Sequence, residues 1–207
     1  MRGRVYAIAI SMVAAALPLL GWLSTVIVAL VCLRSGIAAG SVIFLWTLLP
    51  LGVALYFVGD PSPMITLVGA FVMAMLLRQT LSWELVLIAS VVLSAVGALI
   101  FEFSAAGILD RFVQFYIDYL EQVDASVVID PGQARKLLIG FFAVGQAFSM
   151  VVMLMIARWC QSALYNLGGF RNEFHQLRLS PSISGSIVLA MAVCYMFGDE
   201  LGRWLPL

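Results

Sequence analysis

Residues 32–50 read CLRSGIAAGSVIFLWTLLP, and the class of the molecule follows from this stretch. Arg34 stands at its head, Gly36 and Gly40 follow four positions apart, and the run continues into an unbroken apolar segment. In an apolar 20-mer, glycines at that spacing fall on one helix face, where the missing Cβ lets a neighbouring backbone come close. The segment is expected to be a packed membrane helix entered at Arg34, with Gly36 and Gly40 at a helix contact.

The remainder of the chain has the same character. Of 207 residues 63% are hydrophobic and 11% charged, whereas soluble domains carry about half apolar and about a quarter charged residues. With a mean hydropathy of +1.08 there is too little polar surface to cover a water-soluble globule. Eleven basic residues against eleven acidic ones leave no net charge and no basic field, so nucleic acid is not expected as a partner. Cys32, Cys160 and Cys194 form no C-x-x-C pair and read as reduced packing residues. His175 has no second ligand near it, so neither a metal site nor a cofactor is expected.

Upstream, Arg2 and Arg4 precede an apolar run over 5–33 that Pro18 and Gly21 interrupt. A proline removes a backbone hydrogen bond and disfavours helix at the residue before it. The run is therefore a broken first segment, either one kinked helix or a hairpin of two short ones. Charge favours the hairpin. A chain that turns back puts Arg2, Arg4, Arg34, Arg78, Arg158, Arg171 and Arg178 on one face, with most carboxylates on the other. That asymmetry places the N-terminus in the cytoplasm. Each half of the run, about 13 residues, rises only ~20 Å against a hydrocarbon core of ~30 Å.

Downstream, spans are expected over 37–58, 64–77 and 82–101, separated by Gly59-Asp60-Pro61-Ser62-Pro63 and by Arg78-Gln79-Thr80. Over 107–123, Leu109, Phe112, Val113, Tyr116, Tyr119, Leu120 and Val123 recur at helical spacing with polar residues between them. This predicts an amphipathic helix at the outer interface or against the bundle. Asp130-Pro131 starts a span over 133–157, in which Gly140 and Gly145 suggest close helix packing and Gln146 an interhelical hydrogen bond. A basic cytoplasmic loop over 158–181 and a last span over 183–197 complete the reading. The expected fold is all-α: one polytopic transmembrane helix bundle over 1–207 with about six spans.

Two segments resemble a known family. LRSGIAAG, residues 33–40, is similar to the L-x-R-x-G-x-x-A-G stretch of the DUF2232 or YybS-like bacterial membrane proteins. GGFRNEFHQLRLSP, residues 168–181, resembles that family's cytoplasmic F-R-E-x-R-L-P signature, with Asn172 intervening before Glu173 and Arg178 displaced further along. The resemblance implies a fold like the membrane-embedded S components of energy-coupling-factor vitamin transporters, in a bacterial inner membrane.

Two functions are open at this level. The first is a small-molecule binding or transport subunit, with Ser11, Pro18, Gly21, Ser24, Thr25 and Gln146 around a cavity at the broken segment. The second is a membrane scaffold or assembly protein that docks a membrane or cytoplasmic protein through Arg34, Phe170, Arg171, Glu173 and Arg178. No G-x-S-x-G, H-E-x-x-H or G-x-x-x-x-G-K-[ST] occurs, so no enzyme activity is expected, and ATP energy would have to come from another chain.

Overall fold

In lipid, backbone N–H and C=O groups find partners only inside the chain itself, and helices are the local way to supply them. The computed structural model describes residues 2–17, 20–123, 130–165 and 185. Among these the chain is an all-α bundle of seven helices: α1 Arg2–Ala16, α2 Gly21–Ser35, α3 Ile37–Val58, α4 Ser62–Thr80, α5 Trp83–Ser104, α6 Ala106–Val123 and α7 Pro131–Tyr165. Four of them, α3, α4, α5 and α7, are long and apolar enough to cross a membrane, and α1 and α2 contain shorter apolar stretches. The chain is a membrane protein. Pro18, the segment 166–184 and the expected last span 183–197, apart from Gly185, lie outside the described residues.

The first segment is two helices that pack against each other. Only residues 17–20 separate them, so α1 begins at the same end of the molecule at which α2 finishes. Each has 15 residues and rises ~22 Å, short of a ~30 Å hydrocarbon core.

The contact expected of Gly36 and Gly40 is corrected by the backbone. Gly36 is not on a helix face. It sits between α2 and α3 at φ +99°, a left-handed-side conformation open to glycine, and its N–H donates to Cys32 O at 3.2 Å. Gly40 alone makes the close approach: a Cβ there would stand 2.8 Å from Cys32 Cβ and 2.9 Å from its Cα. Gly140 and Gly145 also depart from the expected packing, since a Cβ at either would meet nothing within 4 Å. The tight contact made by α7 falls instead where Met150 lies against Gly69 of α4.

α2 is the central element and touches α1, α3, α4 and α7. α5 packs on α4 and α7, where Phe101 and Phe142 stack with centroids 4.1 Å apart. Val28, Cys32, Ile43, Leu67, Met73, Val86, Met150 and Leu154 form the fully buried centre. Turn chemistry delimits the helices. The Asp60 carboxylate accepts from Ser62 N at 2.9 Å and from the Ser62 hydroxyl, Ser82 Oγ accepts from Leu85 N at 3.4 Å, and Asp130 Oδ2 accepts from Gly132 N at 3.1 Å.

The boundary expected at residue 157 is also corrected. α7 continues to Tyr165, so the first eight residues of the expected loop are helical. Arg158 ends the apolar character without ending the helix, because arginine is itself a good helix former. At 35 residues α7 rises ~52 Å and outruns the hydrocarbon at its ends. α6 packs beside its first turns through Leu109 and Val113 and leaves Phe112, Phe115 and Tyr119 exposed.

Candidate functional site

The short arms of the α1–α2 hairpin leave space at its tip. An open cleft of about 430 Å³ lies where the first turns of α2 and α4 meet the middle of α7. Thr25, Ser62, Thr66, Gln146 and Ser149 supply its polar groups, and Trp22, Pro63, Phe142 and Met153 its apolar walls. No charged side chain lines it.

Gln146 is 6% exposed and ties α7 to the start of α4. Thr66 Oγ1 donates to Gln146 Oε1 at 2.7 Å, and Gln146 Nε2 donates to Ser62 O at 3.3 Å. Thr66 Oγ1 also stands 2.9 Å from Ser62 O, but its single proton serves one acceptor at a time. The ring leaves one proton on Gln146 Nε2 and one lone pair on Oε1 uncommitted.

Two hydroxyls on the cleft, those of buried Thr25 and half-buried Ser149, behave differently from Ser11 and Ser24. Ser11 donates to Ile8 O at 3.0 Å and accepts from Thr47 Oγ1 at 3.1 Å, and Ser24 donates to Gly21 O at 2.6 Å. Thr25 and Ser149 have no hydrogen-bond partner among the described residues. Thr25 is only 3% exposed, yet its oxygen is not sealed off, since no buried side-chain polar atom among the described residues lacks a partner. The cleft is what reaches it. On an open cleft such a hydroxyl can both donate to and accept from whatever enters.

Of the residues expected around a cavity, Gly21, Thr25 and Gln146 line this one. Ser11 is placed between α1 and α3 by its bond to Thr47, Ser24 is turned back on its own helix, and Pro18 lies outside the described residues. The sequence reading missed Ser62, Thr66 and Ser149. Their spacing held a signal, because Ser62 and Thr66 are four apart at a helix start and Ser149 is three beyond Gln146, each pair on one face. α6 contributes nothing to the lining.

Among the docking candidates, Arg34 is exposed in the last turn of α2, whereas Phe170, Arg171, Glu173 and Arg178 lie outside the described residues. No group of three metal-ligating side chains occurs among the described residues.

Searches against protein-family models, curated proteins and solved structures return no match for this chain. The functional reading therefore stands on the residues and their geometry.

Proposed function

We propose that the chain is the ligand-binding subunit of a bacterial inner-membrane system, holding a small uncharged polar molecule in the cleft at the hairpin tip. The observation that carries this is Thr25, 3% exposed and without a hydrogen-bond partner among the described residues, on a cleft that also offers Ser149 and the spare amide groups of Gln146. These groups both donate and accept, and none carries charge, so an ionic ligand would shed its hydration without a counter-charge. Broken helices are a common way to build transport sites. Arg34, Arg78 and Arg158 on one side favour that side facing the cytoplasm. With no Walker motif in the chain, ATP energy for moving the ligand would have to come from another chain.

The test is native mass spectrometry of protein extracted from its own membrane in mild detergent, comparing the wild type with Thr25→Val. The expected result is a small-molecule adduct of the wild type that falls several-fold in the isosteric variant while the melting temperature of the empty protein holds. Equal occupancy in both, or only lipid and detergent on the wild type, would remove the proposal.

A further inference from the structure

A second cleft, of about 390 Å³, lies at the opposite end of the bundle from the hairpin tip, where α2 and α4 end and α5 begins. Leu33, Leu77, Leu81 and Trp83 give it apolar walls, and Arg78, Arg158 and Gln161 its polar groups. No acidic side chain is among them; Glu84, one residue beyond Trp83, is not part of the lining.

The two guanidinium groups reach this cleft from different helices and are anchored there. Arg78 Nη1 donates to Leu33 O and, at 3.3 Å, to Cys32 O, closing the C-terminus of α2. Among the described residues its Nε and Nη2 make no hydrogen bond, so three donors of a fixed fork remain. Arg158 Nη1 donates to Gln161 Oε1 at 2.7 Å one turn further along α7. Leu81, which joins α4 to α5, is 81% exposed and holds an apolar side chain beside these cations.

We infer that this cleft binds the phosphate of an anionic glycerophospholipid, with the lipid's acyl chains running along the apolar side chains. The ligand must match two chemistries at once: a planar donor fork suited to phosphate oxygens, and apolar walls at the end of membrane-spanning helices. Basic pockets between helices at that depth are suited to anionic headgroups, whereas a free phosphate would use the cations and leave the leucines and Trp83 idle. Cys32 and Leu33 belong to α2, so the lipid phosphate would be held by the same side chain that caps the central helix.

The experiment uses the purified chain in a neutral detergent, stripped of lipid and titrated separately with phosphatidylglycerol, phosphatidylcholine and inorganic phosphate, reading native-mass adducts and melting temperature. Phosphatidylglycerol is expected to bind at least fivefold more tightly than phosphatidylcholine and to raise the melting temperature, and inorganic phosphate to do neither at matched concentration. Arg158→Gln should weaken phosphatidylglycerol about fivefold, Arg158→Lys should restore most of it, and Lys136→Gln at the far end of α7 should change nothing. Equal binding of the two lipids, equal stabilisation by inorganic phosphate, or an Arg158→Gln protein with unchanged selectivity would each overturn the inference. If Arg158→Gln does not fold, the lipid selectivity of the wild type and of Arg158→Lys still decides it.

Discussion

Thr66 Oγ1 lies 2.7 Å from Gln146 Oε1 although 80 positions separate the two residues. This bond, with that from Gln146 to Ser62 O, makes α4 and α7 one wall of the cleft. Gln146→Leu should cost only about 1 kcal/mol, because hydrogen bonds between membrane helices are modest and Thr66 can turn to Ser62 O. Gln146→Glu should cost distinctly more, since it sets a carboxylate in the same buried place. Thermal unfolding in detergent checks the order; a glutamate variant as stable as the leucine one would contradict the burial of Gln146.

Gly40 and Gly52 lie on the same helix, α3, but in opposite surroundings. A methyl at Gly40 would meet Cys32 Cα at 2.9 Å, backbone that cannot rotate away, while at Gly52 it would meet nothing within 4 Å. Gly40→Ala is expected to destabilise by about 1–3 kcal/mol through forced separation of α2 and α3. Gly52→Ala should be neutral or add up to about 1 kcal/mol through helix propensity. Denaturation of the pair in one detergent reads the contrast directly.

Leu81 closes α4 at φ +53°, and its N–H donates to Leu77 O at 2.9 Å. The left-handed backbone costs a leucine about 1 kcal/mol, of which glycine's greater unfolded freedom would return part. Because the side chain is 81% exposed, Leu81→Gly loses little packing. The variant should therefore be more stable than the wild type by about 0.5 kcal/mol in detergent, read as a small rise in melting temperature.

Arg135 of α7 bridges α5 and α6. Its Nε bonds Glu102 at 3.3 Å and its Nη1 bonds Asp110 at 2.6 Å, with the Glu102 side chain 12% exposed and that of Asp110 63%. Arg135→Gln leaves the sheltered Glu102 without its cation, whereas Asp110→Asn removes a contact already screened by solvent. Hydrogen exchange at the end of α5 around Glu102 should accelerate markedly in the first variant and little in the second.

The helical layout was legible because its punctuation is local. Asp60-Pro61, Ser82 and Asp130-Pro131 act within three or four residues, so the sequence carries their chemistry whole. Gly36 was not legible, because glycine four residues before another glycine serves a close approach and a positive φ equally well, and only the backbone distinguishes them. The end of α7 was missed for a related reason: Arg158 marks where apolar character stops, and a helix does not need to stop there. The cleft was half legible. Gln146 and Thr25 stand out as polar groups in apolar runs, but which hydroxyls bond within their own helix, as Ser11 and Ser24 do, depends on rotamers that spacing does not encode.

α2 is a rod of fifteen residues. Near one end Thr25 opens on the cleft, and at the other the Cys32 and Leu33 carbonyls are gripped by Arg78. One helix thus forms part of both clefts, which share it as a common wall. Paired spin labels at its two ends, followed as each cleft is filled in turn, would read whether filling one is felt at the other.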